Sequence, residues 1–307
     1  MKIMSNNHFH RNSHGYSLLS LLVIMLSSNL VGQHCANDIP EIYISDKARA
    51  VYEAKLAEAK ANFKKDSSTD NLIWLGRREA YLGNYEDAIK IYSRGIIQYP
   101  KDARFYRHRG HRYISSRCFD LAIKDFKKAV GLTRYEPNEV EPDGLPNALG
   151  IPTSTLQGNI YYHLGLTYYI QGKYHKARYA YEKCMKLAEN PDSYVAAANW
   201  LYVIYRHLGQ DRRAGKLLDT IKDDMNLIEN HSYHTILKIH QGKVDPVELE
   251  KEIMTGQSLN NTTLAFGLGN YYSINGDEKK AQVLFKKITD GNQWAAFGYI
   301  AAEARLK

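Results

Sequence analysis

The chain has 307 residues, enough for a large core or a long array of repeats. Its composition, 24% charged and 44% hydrophobic, is ordinary for a globular protein, and its net charge of +8 permits an anionic partner without requiring one. The three cysteines, Cys35, Cys118 and Cys184, lack the spacing of a metal site, and we expect no disulfide framework among them.

The beginning of the chain has the order of a secretory signal peptide. Residues 1–15 are polar and weakly basic, residues 16–31 are apolar apart from serines and one asparagine, and small residues follow. This order predicts a signal peptide over residues 1–32 and a linker over residues 33–45. The apolar run is shorter than the ~20 residues that a spanning helix needs.

We therefore expect an exported protein, periplasmic or secreted, without a nucleic-acid partner. Two alternatives would bring it to a membrane. A lipoprotein would be attached through Cys35, although the residue before it is His34 rather than a small one. An uncleaved apolar segment would act as an anchor.

Residues 71–100 predict two short helices joined by a turn at Gly83. Apolar residues recur at three- and four-residue steps in each half, which is the helical period. Further turns of the same kind follow at Arg117, Gly172, Gly209, Gly242 and Gly276. They are about 34 residues apart, except that 55 residues separate Arg117 from Gly172. One helix pair cannot bury its own apolar face, so the copies are expected to stack.

Most units have a small residue at a fixed position before the turn and a large apolar residue at a fixed position after it. Seven residues before it stands a glycine in four units: Gly76, Gly110, Gly165 and Gly269. Nine residues after it stands a large apolar side chain in five units: Tyr92, Phe126, Tyr181, Leu218 and Phe285. We expect the two helices of a unit to approach closely at the small residues.

These features resemble the tetratricopeptide repeat family, whose unit is a helix–turn–helix of 34 residues. The first-helix signature is found at Leu75-Gly76, Leu164-Gly165 and Leu268-Gly269, and a first-helix tyrosine stands at Tyr113, Tyr168, Tyr205 and Tyr272. The unit around Arg117 lacks the turn glycine. The unit around Gly242 lacks both small residues and has Pro246 near the start of its second helix.

The resemblance covers residues 69–290 and implies an all-α fold, a right-handed α-solenoid of stacked helix–turn–helix repeats. Units 1 and 2 occupy residues 69–132, and units 3 to 6 occupy residues 158–290. Stacked repeats expose core at a bare end. We therefore expect two capping helices, one over the alanine-rich residues 46–65 and one over residues 291–307.

An acidic, proline-rich insert over residues 133–157 interrupts the repeats. It contains Glu136, Glu139, Glu141 and Asp143. Our hypothesis is that the insert folds over the repeats and places these acids near Arg104, Arg107 or His111. The alternative is a mobile loop that makes no contact.

In the family, the first helix of each unit lines the concave face, which implies a basic and aromatic groove in this chain. The groove residues so implied are Trp74, Arg77, Arg104, Arg107, His108, His111, Tyr162, His163, Asn199, Trp200, Arg206 and His207. Arginine pairs bidentately with carboxylates and tryptophan offers a large contact area, so a protein or peptide partner, an acidic one among the options, is expected. The alternative is that the arginines are a solvated face.

The sequence contains no motif of catalysis, such as G-x-S-x-G, H-E-x-x-H or a phosphate loop, and we expect no enzyme, cofactor or metal. The pairs His108/His111 and His231/His234 each lack a third metal ligand. Two other functions stay open. One is a hydrolase that uses the acidic insert over His108 and His111. The other is an envelope-anchored assembly factor.

Overall fold

The computed structural model describes Cys35, residues 40–255 and residues 259–307, without the side chains of residues 259 and 260. The predicted signal peptide and most of the predicted linker before residue 40 lie outside the described residues. Residues 34–307 form one compact unit.

All regular structure in the described residues is helical, which confirms the predicted all-α fold. The helices are α1 (Asp46–Lys65), α2 (Thr69–Tyr81), α3 (Tyr85–Gln98), α4 (Ala103–Ser115), α5 (Phe119–Thr133), α6 (Leu156–Ile170), α7 (Tyr174–Lys186), α8 (Pro191–His207), α9 (Asp211–Leu218), α10 (His231–His240), α11 (Pro246–Thr255), α12 (Leu259–Ile274), α13 (Glu278–Thr289) and α14 (Phe297–Arg305). A single antiparallel bridge joins Val140 to Thr155 within the insert. Across the part of the chain that is described, we find no helix with the length and apolar character needed to span a bilayer.

The helices between α1 and α14 pair in sequence, and the turn inside each pair has a residue with positive φ. These residues are Gly83, Arg117, Gly172, Gly209, Gly242 and Gly276. The six predicted turn positions are therefore confirmed. Arg117 is the one of these six residues that is not a glycine, and it adopts φ 60° although it carries a side chain.

Side-chain caps start the first helix of a pair more often than the second. Polar side chains at Ser68, Asp102, Thr155 and Asn190 accept hydrogen bonds from backbone N–H groups of α2, α4, α6 and α8. The second helices α3, α5, α7 and α9 have no such bond and begin directly after the turn. A cap of this kind satisfies one of the free N–H groups at a helix start.

Each well-formed pair is held by a ring pressed against a glycine. A Cβ atom placed on the glycine would lie 2.5 to 2.9 Å from the nearest ring carbon in the pairs Gly76–Tyr92, Gly110–Phe126, Gly165–Tyr181 and Gly269–Phe285. All four rings are buried. The predicted close approach at the glycines is confirmed, and the partner at each is the large residue nine positions beyond the turn.

The pair around Gly242 is formed, although its sequence departs from the repeat. α11 begins at Pro246, and proline at the first helical position is favourable because its missing N–H would be unpaired there anyway. α10 packs mainly on α8 and α12 rather than on α11, which contacts α12. The loss of both small residues therefore loosens the pair without removing either helix.

The two ends of the described chain meet the middle repeats. Cys35 forms a disulfide with Cys118, at the turn between α4 and α5, so the expectation of no disulfide is wrong. The two residues are 83 positions apart, and that pairing has no signature in the spacing of cysteines. α14 packs on α12 and α13 and also reaches α6.

We predict that Gly165→Ala destabilises the protein by about 1–3 kcal/mol, because the new methyl group would meet the buried ring of Tyr181 at 2.7 Å. The control is Gly131→Ala in α5, where a Cβ meets nothing within 4 Å and alanine should add about 0.5–1 kcal/mol. Urea unfolding monitored by circular dichroism measures both. Equal stabilities for the two variants would contradict the ring-on-glycine contact.

Candidate functional site

The first helices of the pairs, α2, α4, α6, α8, α10 and α12, lie side by side and form what we call the first-helix face. All twelve predicted groove residues lie on four of these helices, α2, α4, α6 and α8, and His207 is the last residue of α8. Much of this face is covered by the insert and by the segment around α14. Arg107, His108, His163, Asn199 and Trp200 are all buried. The groove predicted from the sequence is therefore not an open channel at these residues.

Glu141 of the insert occupies the basic part of the face. Its Oε2 atom lies 2.9 Å from Arg107 Nε, and its Oε1 atom lies 3.8 Å from His108 Nε2. The side chains of Arg107 and Glu141 are only 9% and 7% exposed. Arg107 Nε has no aligned hydrogen bond among the described residues, so the contact is an ion pair by proximity. The insert does bring one of its acids to a predicted arginine.

Two of the other three predicted arginines are also paired within the chain. Arg104 contacts Asp70 and Asp102, with both N–O distances 2.6 Å, so it lies at the start of its helix and not under the insert. Arg206 lies 2.8 Å from Asp211.

Among the described residues Arg77 makes no ion pair, and its guanidinium stacks 4.4 Å from the centre of the Trp74 ring. Trp74 and Arg77 are half-buried. The basic character of the face is thus largely neutralised or stacked within the chain.

The C-terminal segment fills the space beside the histidines. The ring of Phe297 lies 5.2 Å from the rings of both His111 and His163. Phe297, at the start of α14, thereby reaches both α4 and α6. Burial lowers the pKa of His163 well below its usual value, and Arg107 lowers it further. His163 Nδ1 lies 2.6 Å from the Asn159 backbone oxygen and must carry the proton there.

Arg117 holds this segment in place. Its guanidinium lies 3.6 Å from the centre of the Trp294 ring, donates to the Trp294 backbone oxygen at 2.9 Å, and pairs with Glu303 at 2.8 Å. The residue that replaces a turn glycine is therefore the one that ties the end of the chain to the second repeat. At the far end of the segment, Arg305 lies 3.4 Å from His207, which stacks on Tyr174.

One cavity of about 280 Å³ stays open beside the first-helix face. We call it the α6–α8 cavity. It is lined by Asp143, Thr153, Ser154 and Thr155 of the insert, Gly158, Asn159, Tyr162 and His163 of α6, Cys184, Leu187 and Ala188 at the end of α7, Ser193 and Ala196 of α8, Glu229, Asn230 and Tyr233 around the start of α10, and Phe297 of α14. Tyr162 and His163 are the only two predicted groove residues in this lining.

A hydrogen-bonded aromatic wall closes one side of the α6–α8 cavity. Trp200 Nε1 donates to the Tyr162 hydroxyl at 2.8 Å, and that hydroxyl lies 3.0 Å from the hydroxyl of Tyr233. Trp200 is buried behind Tyr162 and does not line the cavity. Burial raises the pKa of the Cys184 thiol to about 12, so this lining cysteine is a neutral, unreactive thiol.

Asp192, at the start of α8, holds the turn before α10 that contributes to the cavity. This residue is 1% exposed, and its carboxylate accepts hydrogen bonds from the backbone N–H groups of Ile228, Glu229 and Asn230 at 2.8 to 2.9 Å. It therefore fixes the turn that carries Glu229 into the lining, where Thr153 donates to the Glu229 carboxylate.

The sequence pointed to only part of this site. Glu229, Tyr233 and Phe297 had no signal as cavity residues, because they come from segments far apart in the chain. Asn199 and Trp200 were predicted to face a groove and are instead buried, with Trp200 against Tyr162 and Phe266. Within the described residues, no group of three or more His, Cys, Asp or Glu side chains is placed to hold a metal ion.

The comparisons with known sequences agree with this geometry. Residues 158–191, which span α6 and α7, match the sequence model of the tetratricopeptide repeat. The chain is similar to Small glutamine-rich tetratricopeptide repeat-containing protein 2 of Saccharomyces cerevisiae, with 27% identity over 179 residues. That region is 56% of this chain and 45% of the relative, so the match spans less than half of the relative's length.

Three solved structures show similarity to the chain, each with a TM-score below 0.5. A tetratricopeptide repeat protein of Parabacteroides merdae has a TM-score of 0.47 and 14% identity, with 84% of this chain and 94% of that chain covered. PilF of Pseudomonas aeruginosa has a TM-score of 0.46 and 16% identity, over 79% and 85%. YrrB, described as having an unusual peptide-binding site, has a TM-score of 0.43 and 14% identity, over 76% and 91%.

The helix pairs, their positive-φ turns, the glycine–ring contacts and the matched repeat define an all-helical repeat protein of the solenoid class. Residues 158–191 match the tetratricopeptide repeat, and the chain is similar to proteins of that family.

We predict that Glu141→Gln lowers the free energy of unfolding by about 3–5 kcal/mol, because it leaves Arg107 buried without a counter-charge. The double variant Arg107→Met/Glu141→Gln should lose less than the sum of the two single variants, because neither charge then remains alone. Chemical unfolding measures all three. Glu139→Gln, on an exposed residue of the same insert, should stay within about 0.5 kcal/mol of the wild type. A Glu141→Gln variant as stable as Glu139→Gln would show that the insert does not rest on Arg107.

Proposed function

We propose that this protein is an exported scaffold that binds a protein or peptide through the α6–α8 cavity and the part of the first-helix face around it. The observation that supports this most directly is that the cavity is open where the chain itself covers much of the rest of the face. Repeat solenoids present surfaces of this kind to partners. A cavity of about 280 Å³ has room for one side chain of a partner rather than for a whole helix.

The partner need not be acidic. That expectation rested on Arg77, Arg104, Arg107 and Arg206, and the last three are each paired with a carboxylate of the chain. An acidic peptide would have to displace Glu141, which is buried and also accepts a hydrogen bond from Asn159 at 3.2 Å. The geometry favours recognition at the cavity lining over recognition by the arginines.

The geometry offers less support to a hydrolase. That alternative needs a substrate to reach Glu141 and His108 together. Both side chains are buried, and neither lines the cavity. Burial lowers the pKa of His108 well below its usual value, and the neighbouring Arg107 lowers it further, so this imidazole is a weak base.

Export is supported by the disulfide between Cys35 and Cys118. Disulfides persist in oxidising compartments and are rare where thiols are kept reduced. The same bond uses the sulfur of Cys35 that attachment of a lipid would need. We therefore favour a free periplasmic or secreted protein over a lipoprotein, and over the envelope-anchored assembly factor insofar as that rests on a lipid at Cys35.

The protein is expressed with residues 1–32 present and then unfolded without reductant. We expect one thiol to react, that of Cys184. A matched protein that lacks residues 1–32 and stays in the cytoplasm should show three reactive thiols. Thiol titration and intact mass measure both, and Cys35→Ser provides the control for the assignment. Three thiols in the exported protein, or a lipid mass on Cys35, would contradict the proposal.

Selection of displayed peptides on the purified protein tests binding. We expect selected peptides to lose at least about tenfold in affinity for Ala188→Phe, whose ring would occupy the α6–α8 cavity from a half-buried position. Ala57→Phe, exposed on α1, is the matched control and should bind as the wild type does. Unfolding curves establish that both variants are folded. Peptides that bind Ala188→Phe unchanged, or an absence of selected peptides, would contradict a binding role for the cavity.

A further inference from the structure

The α6–α8 cavity has a charge opposite to that of the protein. The chain carries a net charge of +8, yet the lining contains two carboxylates, those of Asp143 and Glu229, and no lysine or arginine. The one imidazole in the lining, His163, is kept neutral by burial. Arg77, outside the lining, lowers the pKa of the Asp143 carboxyl, but by less than Glu229 raises it.

One carboxylate oxygen of Asp143 is buried without a hydrogen-bond donor in the described part of the chain. Its Oδ2 atom has almost no surface in contact with solvent and no hydrogen-bond partner among the described residues. A carboxylate oxygen in this condition lacks both water and a protein donor, which is costly unless a ligand supplies one. Burial raises the pKa of the Asp143 carboxyl, and Glu229 raises it further. A bound cation would relieve both effects.

Glu229 is held facing the cavity by contacts that do not neutralise it. Its backbone N–H is fixed by Asp192 at 2.9 Å, and its side chain accepts from the hydroxyl of Thr153. A hydroxyl donor leaves the negative charge in place. The lining therefore holds two carboxylates on two separate segments, one from the insert and one from the turn before α10.

Aromatic rings complete the lining. Tyr162, Tyr233 and Phe297 form the apolar part of the wall, together with Leu187 and Ala196. Aromatic faces attract ammonium and guanidinium groups, by about 0.5–2 kcal/mol for each favourable contact. The apolar part also suits the methylene stem that carries such a group in a long basic side chain.

We propose that the α6–α8 cavity binds the side chain of a lysine or arginine of the partner, with the cationic head between Asp143 and Glu229 and the stem along the aromatic wall. The proposal rests on the proposed function and names the residue type that the scaffold recognises. An anionic side chain would meet two carboxylates in a partly buried site, and a neutral one would leave Asp143 Oδ2 without a donor.

The probes are four acetylated and amidated pentapeptides, each with alanines around a central lysine, arginine, norleucine or glutamate. Binding is followed by the NMR shift of the Trp200 indole N–H, which donates to Tyr162 in the cavity wall. The lysine or arginine peptide should bind at least about tenfold more tightly than the norleucine peptide, as expected for hydrogen bonds to a charged group. The glutamate peptide should bind most weakly. Norleucine binding equal to that of both basic peptides would overturn the inference.

Asp143→Asn and Glu229→Gln should each weaken the basic peptides by about tenfold and leave the norleucine peptide unchanged. Glu139→Gln is the matched control, because it removes the same charge from an exposed position on the insert. Unfolding midpoints show whether each variant is folded. An equal loss of affinity in Glu139→Gln and Asp143→Asn would reduce the effect to general charge and overturn the inference.

The two proposals fail in different ways. If displayed peptides are selected and depend on Ala188, but carry no basic residue, the scaffold function stands and the cation site is wrong. If n-butylammonium shifts Trp200 in the wild type and not in Asp143→Asn, while no peptide binds, the cation site stands and the scaffold function is wrong.

Discussion

The structure depends on the contact between a bare stretch of helix and a large ring. In four pairs, a glycine of the first helix faces a tyrosine or phenylalanine of the second, at a distance that leaves no room for a methyl group. This contact sets how closely the two helices approach, and hence how much apolar surface each pair buries. Because a single pair remains half exposed, the pairs stack, and their first helices come to form one continuous face.

What covers that face comes from outside the regular repeats. The insert brings Glu141 to Arg107, and the C-terminal segment brings Phe297 to the histidines of α4 and α6. Arg117 anchors the second of these contacts from a turn where a glycine would have had no side chain to offer. The turn that departs from the repeat pattern, at Arg117, is therefore where the C-terminal segment is attached to the second repeat. The α6–α8 cavity is the space that these two coverings leave.

The proposed site could be predicted only where it lies on a repeat. Tyr162 and His163 were found because the position of a residue relative to its turn decides whether it faces the first-helix side. Asp143 was recognised as one of four acids in the insert, without a means of telling it from Glu141. Glu229, Tyr233 and Phe297 were missed. The segments around them lack the repeat pattern that would predict on which face a residue lies. Asp192, which fixes Glu229, sits at a helix start and looks like an ordinary first-turn acid.

The sequence by itself determined the all-helical fold, the six turns, the glycine–ring positions and the resemblance to tetratricopeptide repeats. These follow from patterns a few residues long that recur along the chain, so local chemistry is sufficient to place them. Only the tertiary structure decided that Cys35 meets Cys118, that three of the four arginines of the predicted groove are paired with carboxylates of the chain, and that the remaining cavity is acidic. Each of these depends on which of many distant segments comes to lie against the first-helix face, and such long-range contacts leave no periodic trace in the sequence.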